Sequence, residues 1–255
     1  SDVYKRQAYA FKPLESLDTD LTTENIEHDM VFVGLTGMID PPRPEARAAV
    51  AECHASGIDV IMITGDYFET ALAIAKDLGI ADSRDQAMQG SELNDKTHEE
   101  IREIVKTKRI FARVSPENKV QLVKALEAND NVVAMTGDGV NDAPAIKNAD
   151  IGISMGITGT DVAKDASDMI LVDDNFATIV NAVEEGRVIF SNIKKFVSFL
   201  LSCNIAEVLI VFISILLGLP SPLTPIQLLW LNLVTDAFPA LALGVEPAEP
   251  GLMDC

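Results

Sequence analysis

The sequence predicts an α/β domain built on a parallel sheet with helices on both faces, followed by a two-helix apolar hairpin. Three observations carry that expectation. Between Ile58 and Val172, short apolar runs of β-formers alternate with stretches at helical spacing. Two of the runs end in polar turns, Thr64-Gly-Asp66 and Thr136-Gly-Asp-Gly-Val-Asn-Asp142. All 20 basic residues lie at or before Lys195, so Phe196 to Cys255 contains none.

Taken in order, Ile58-Asp-Val-Ile-Met-Ile63 reads as the first strand and Phe68 to Leu78 as a helix closed by Gly79. Arg109-Ile-Phe-Ala112 reads as a second strand. Pro116 to Glu127 follows as a helix with Val120, Val123 and Leu126 on one face. Val132-Val-Ala-Met135 is a third strand, with a short helix near Pro144 to Lys147. Ile151-Gly-Ile153 and Met169-Ile-Leu-Val172 supply two more. Strands that are apolar throughout, separated by helices, belong to parallel sheets covered on both faces. Ligands of such sheets bind at the carboxyl ends of the strands.

The formal net charge of −19 over 255 residues excludes a nucleic-acid binder working by bulk charge, which needs a basic face. Cys53, Cys203 and Cys255 have no metal-site or paired spacing, which predicts reduced thiols and an intracellular setting. Only five acids, Glu207, Asp236, Glu246, Glu249 and Asp254, follow Lys195.

Phe196 to Leu219 is 24 apolar-rich residues. As a helix it reaches ~36 Å, more than a bilayer core of ~30 Å. Gly218 to Pro225 breaks the run, and Ile226 to Leu243 supplies a second span. Arg187, Lys194 and Lys195 put the N-terminal flank on the cytoplasmic side. Two buried helices of a soluble core would be the plainer reading, but the length and asymmetric flanks of the first run favour a membrane hairpin.

Thr136 to Asp142 is the sharpest motif. Its glycines allow close backbone approach, and Asp138, Asn141 and Asp142 offer hard oxygens suited to Mg²⁺ beside a phosphate. An ordinary turn uses the same residue types, so a single Gly-Asp-Gly is weak and the whole heptapeptide at a strand end is strong. Thr64, Gly65 and Asp66 offer a hydroxyl and N–H groups at a helix start, where anions bind, although a simple N-cap is the plainer reading of that triplet alone. Lys119, in Arg113-Val-Ser-Pro-Glu-Asn-Lys119, adds a cation for a phosphoryl group.

In the spans, Asn204 and Glu207 are three apart, and Asn232 and Thr235 repeat that spacing beside Asp236. A charge at mid-bilayer costs roughly 2.5–3.5 kcal/mol on insertion scales, so such residues are kept for ion or proton paths. Oxygen-rich side chains without a basic partner form a candidate cation site, and many oxygens suit calcium. Interhelical hydrogen bonding accounts for Asn204, Asn232 and Thr235 but poorly for Glu207 and Asp236.

Thr64, Lys119 and Asp138 with Asp142, each on its own strand–helix unit, resemble the second, third and fourth motifs of the haloacid-dehalogenase-like phosphotransferases. Together with Asp40-Pro-Pro-Arg43, Asp173-Asp-Asn-Phe176, Val183-Glu-Glu-Gly-Arg187 and Leu229-Trp-Leu-Asn-Leu-Val-Thr-Asp236, they resemble the type II P-type ATPases. Within these, the likeness is to calcium pumps of the sarco/endoplasmic-reticulum kind and their bacterial relatives, from about Ala8 to Met253. Asn232 fits a calcium rather than a sodium pump, and Glu207 argues against the secretory-pathway and plasma-membrane calcium pumps.

The resemblance implies a membrane protein of several spans with a cytoplasmic head, using ATP and Mg²⁺ and transporting Ca²⁺. Its partners would be the lipid bilayer and the remaining domains of a larger pump. Asp138 would hold Mg²⁺, and Asn141 and Asp142 would support the phosphate site. Thr64, Gly65, Asp66 and Lys119 would serve the transferred phosphoryl group. Asp40 and Arg113 would join Thr64 and Lys119 at the nucleotide. Asn204, Glu207, Asn232, Thr235 and Asp236 would bind the transported cation.

The implied divisions are residues 1–34, the tail of a nucleotide-binding domain, and 35–185, the C-terminal part of a phosphorylation domain. Then come 186–219, the fifth membrane helix with its stalk, and 220–225, an outer loop. The sixth helix is 226–243, and 244–255 is a cytoplasmic loop. Ser1 to Gln7 departs from the pattern and reads as a cloning or sequencing remnant. The family's phosphorylated Asp lies in an Asp-Lys-Thr-Gly-Thr motif that this sequence does not contain. Asp95-Lys-Thr97 is followed by His98-Glu99 instead. The isolated chain is therefore expected to have no ATPase or transport activity. The alternatives are a membrane-anchored haloacid-dehalogenase-like phosphatase, whose nucleophile would fall at Asp18-Thr-Asp20, and a non-catalytic domain binding Mg²⁺ or a partner.

Overall fold

A computed structural model of the chain describes residues 5–13, 22–38 and 42–253. These divide into two units, one of residues 1–50 and 60–172, the other of 51–59 and 173–255.

The first unit opens with β1 (Lys5–Phe11), α1 (Thr23–Ile26) and β2 (Val31–Met38). β1 and β2 pair antiparallel, with a shift of register between Tyr9 and Ala10, and leave Phe11, Phe32 and Val33 exposed. This pair was not expected from the sequence. Lys5 to Gln7 are part of it.

α2 (Pro44–Ala55) leads to β3 (Met62–Thr64), α3 (Phe68–Leu78), β4 (Ala87–Gln89), α4 (His98–Thr107), β5 (Ile110–Ala112) and α5 (Pro116–Glu127). β3, β5 and β4 form a parallel sheet in that order. α3 and α5 match their expected bounds because both carry terminal signals. Gly79 ends α3 at φ 78°, a left-handed C-cap open to glycine. Ser115 starts α5 as N-cap ahead of Pro116, with its hydroxyl accepting from the Asn118 N–H. The strand bounds differ from expectation. The apolar run from Ile58 is strand only at Met62–Thr64, where it lies in register with Ile110, Phe111 and Ala112.

β6 (Ala134–Gly137), α6 (Ala143–Asn148), β7 (Ile151–Met155), α7 (Asp161–Ala166) and β8 (Met169–Leu171) complete the unit. Their strands form a second parallel sheet in the order β6, β7, β8. So the expected single sheet is two three-stranded sheets. β3 and β6 each pair on one side only among the described residues.

Each sheet has its own core. Phe111, Leu93, Ile101 and Leu122 are fully buried in one, Val123, Ala145 and Ile146 in the other. Ile63 of β3 and Leu126 of α5 pack against both, so apolar contact continues where strand pairing stops. Burying a side chain such as Phe111 stabilises by roughly 1.5–3 kcal/mol.

The second unit is built on α8 (Ala177–Leu216), a 40-residue helix about 60 Å long. After α9 (Pro225–Trp230), α10 (Ala237–Gly244) returns beside it. The second span was expected as one regular helix. Instead a π-turn, Leu231–Thr235, joins α9 to α10, and the Asp236 N–H reaches back to the Leu231 carbonyl at 3.0 Å. Both helical segments are long and apolar enough to cross a membrane, and Ile205, Val208, Phe212 and Ile215 are exposed. Within α8, Ser202 and Ser214 donate to the carbonyls four residues back, at 2.7 and 2.8 Å, which satisfies their hydroxyls inside the helix.

Candidate functional site

The site of the first unit lies at the carboxyl ends of β3 and β6. After β3, the Asp66 N–H donates to Thr64 Oγ1 at 3.1 Å, and that hydroxyl faces Asp66 Oδ2 at 3.3 Å. This tight turn sets Tyr67, not Thr64 or Asp66, as the N-cap of α3, and no side chain caps there. An added Cβ on Gly65 would meet nothing within 4 Å, so the space above it is open.

The Arg113–Ser115 segment is strapped to the same turn. The Arg113 N–H donates to the Asp66 carbonyl and the Val114 N–H to the Thr64 carbonyl, both at 3.2 Å. Ser115 then caps α5, which carries Lys119 one turn in. Asn118 is buried and donates to Asn94 Oδ1 at 3.1 Å, fixing that first turn. The Ser115–Asn118 box was legible in the sequence as a helix start, but the part it plays in aiming Lys119 was missed.

After β6, Asp142 is 8% exposed and both of its oxygens are used. Lys119 Nζ donates to Oδ1. The Gly139 N–H donates to Oδ2 at 3.1 Å. Gly137 is required: a Cβ there would stand 2.4 Å from the Asp142 Cβ. The Asp138 carbonyl accepts from the Thr160 N–H at 2.9 Å, which fixes the loop. Among the described residues no hydrogen bond or ion pair engages the Asp138 carboxylate or the Asn141 side chain. Asp138 therefore offers unspent oxygens on the loop whose Asp142 holds Lys119, a donor set that fits Mg²⁺ with a phosphate.

Lys119 and Asp142 are thus brought into direct contact, and Thr64 is joined to the Lys119 helix through Val114 and Ser115. Asp40, Asp18 and Asp20 lie outside the described residues.

In the second unit, Asn232 Nδ2 donates to Glu207 Oε2 at 2.8 Å, joining the two apolar segments. Asp236, at the end of the π-turn, is 6% exposed, and its Oδ2 is buried without a hydrogen-bond partner. Asn204 is not brought into this cluster by its donor, which goes to the Leu200 carbonyl of its own helix at 2.8 Å. No side-chain bond to Thr235 is found among the described residues. Cys203 lies against Asp236, a neighbour the sequence reading missed although it sits one turn before Glu207. Nearer the start of α8, Arg187 donates to the Ser56 carbonyl at 2.9 Å, and Lys195 pairs with Glu246 at 2.7 Å and Glu249 at 2.6 Å.

The family profile of haloacid dehalogenase-like hydrolases matches residues 3–150. The chain belongs to that family. A second profile, the C-terminus of cation transporting ATPases, matches residues 220–255. Among relatives, this chain is 53% identical over 99% of its length to a calcium-transporting ATPase of Bacillus subtilis (strain 168). It is 54% identical over 96% of its length to calcium-transporting ATPase 1 of Bacillus cereus (strain ATCC 10987 / NRS 248). A probable calcium-transporting ATPase of Trypanosoma brucei brucei is 49% identical over 96% of the chain. The chain spans 28% of the length of each Bacillus relative and 25% of the trypanosome one.

Proposed function

We propose that this chain is the phosphoryl-transfer and cation-coordinating part of an ATP-driven pump that works through an aspartyl-phosphate, with calcium as the transported ion. The observation that carries the reading is the Lys119–Asp142 pair on the loop that also carries the Asp138 carboxylate, unengaged among the described residues, in the same chain as the Glu207–Asn232 link and the buried, unbonded Oδ2 of Asp236.

In this reading the attacking carboxylate belongs to a strand outside the given sequence. Among the described residues β3 and β6 each leave one side unpaired, and Ile63 of β3 packs against the cores of both sheets, which favours a strand added between them. Its aspartate oxygen attacks the γ-phosphorus of ATP and ADP leaves. Lys119 neutralises charge on the transferred phosphoryl group, and the Thr64 hydroxyl with the Gly65 N–H holds its oxygens. Asp142 keeps Lys119 in position. Asp138, supported by Asn141, would hold Mg²⁺, which screens the developing charge when bound. The nucleotide lies along Arg113.

Glu207, Asn232 and Asp236 hold the cation, with Asn204 and Thr235 turning toward it when it binds. The head stands on the cytoplasmic side, by the basic flank of α8. The rest of the pump supplies the remaining domains and further ligands, and without them the isolated chain neither hydrolyses ATP nor transports. The divisions proposed from the resemblance, with residues 35–185 in the phosphorylation domain and 186–243 in two membrane segments, follow the same logic.

The test is phosphorylation of the full-length protein by radiolabelled ATP. Calcium-dependent, hydroxylamine-sensitive labelling is expected. Labelling indifferent to calcium overturns the choice of ion, and no labelling overturns the pump. Label on the isolated chain overturns its inactivity.

A further inference from the structure

Arg113 has a backbone that its side chain does not favour. Its φ of 53° lies in the left-handed region. The other non-glycine residues there, among those described, are Asp29, Asp130 and Asp174, a type that tolerates it. Three contacts hold Arg113 in place. Its N–H bonds Asp66, and the following N–H bonds Thr64, both at 3.2 Å. Its carbonyl packs over Gly90, where an added Cβ would stand 2.5 Å away. A strained residue fixed from several sides at a strand-end site points to a side chain that must be aimed.

The guanidinium lies over the Tyr67 ring, 4.0 Å from its centroid. Among the described residues it makes no ion pair, so its N–H edge is unspent. Tyr67 itself is 68% exposed, follows Asp66 directly, and caps α3 without a side-chain bond. An exposed tyrosine adds little to a core, but it forms a flat bed on which a planar guanidinium loses little freedom.

We propose that Tyr67 is a positioning residue for the nucleotide: its ring keeps the Arg113 guanidinium beside the strand-end site, with the N–H edge free for oxygens of ATP. This rests on the pump reading above, and it adds a residue that no motif of the sequence singled out. Tyr67 touches neither the transferred phosphoryl group nor Lys119 in this scheme. Its loss therefore weakens the use of ATP and not of inorganic phosphate.

The experiment compares Tyr67→Ala and Tyr67→Phe in the full-length protein, phosphorylated from ATP and, in reverse, from inorganic phosphate. Tyr67→Ala is expected to raise the ATP concentration for half-maximal labelling about two- to fivefold, the worth of an exposed cation–π contact. Labelling from inorganic phosphate and the maximal level stay unchanged, and Tyr67→Phe behaves as the unsubstituted protein. The proposal is overturned by an unshifted Tyr67→Ala, by equal damage in both variants, or by equal loss with inorganic phosphate. Absence of labelling in the unsubstituted protein overturns the pump reading and this inference with it.

Discussion

Asp142 holds Lys119 by one oxygen and the Gly139 N–H by the other, so one carboxylate ties α5 to the loop after β6. The two side chains are 12% and 15% exposed, which limits screening by water. The pair therefore fixes the cation before any phosphate arrives.

Residues that act as a unit are not additive. In the full-length protein, Lys119→Met and Asp142→Asn are each expected to lower phosphoenzyme formation about 100-fold. The double variant should be no worse than either. Effects that multiply would mean that the two side chains work separately.

The glycines of the loop differ in what they permit. Gly137→Ala drives a methyl to 2.4 Å from the Asp142 Cβ, whereas at Gly139 the nearest atom, Asp142 Oδ2, is 3.3 Å away. Overpacking of the first kind costs about 1–3 kcal/mol. Urea unfolding should rank Gly137→Ala well below Gly139→Ala, with Gly65→Ala within about 0.5 kcal/mol of the parent. Equal midpoints for Gly137→Ala and Gly65→Ala would contradict the packing.

Asp236 Oδ2 is buried and makes no hydrogen bond among the described residues, and in the reading proposed above a bound cation satisfies it. Asp236→Asn and Glu207→Gln are expected to raise the calcium needed for half-maximal phosphorylation at least tenfold, about 1.4 kcal/mol. Unchanged calcium affinity in both variants would refute the assignment.

One pH effect has a definite sign. Glu100 accepts the Thr97 N–H at 2.8 Å and its hydroxyl at 3.1 Å, and these bonds, with Lys96, hold its carboxyl below the usual range. The bonds stabilise α4 fully above the unfolded value of about 4.3. That contribution fades as pH falls through the lower folded value. Glu100→Gln should therefore flatten part of the acid limb of stability measured by thermal unfolding. An acid limb identical to the parent's would exclude the linkage.

The sequence reveals elements where a local signal decides the ends. Gly79 and Ser115-Pro116 mark α3 and α5 to the residue. The Thr97–Glu100 capping box marks the start of α4 equally well. Strand ends are less legible because pairing sets them: Ile58 to Ile61 is as apolar as Met62–Thr64 but has no neighbour in register. At the site, the residue types were readable from the motifs. The contacts around them, Tyr67 under Arg113 and Asn118 bonded to Asn94 at the start of the Lys119 helix, come from the fold. The π-turn before Asp236 left no periodic trace, because five residues are too few to shift a helical pattern.

Among the described residues β3 and β6 each leave one side unpaired, which also bears on handling. Unpaired N–H and C=O groups beside an apolar seam act as a template for any extended peptide. Produced by itself, the chain is expected to pair those sides with another extended segment, from its own length or from a neighbouring copy, and to self-associate. A short peptide of the strand proposed to lie between them, supplied during refolding, should compete with that association.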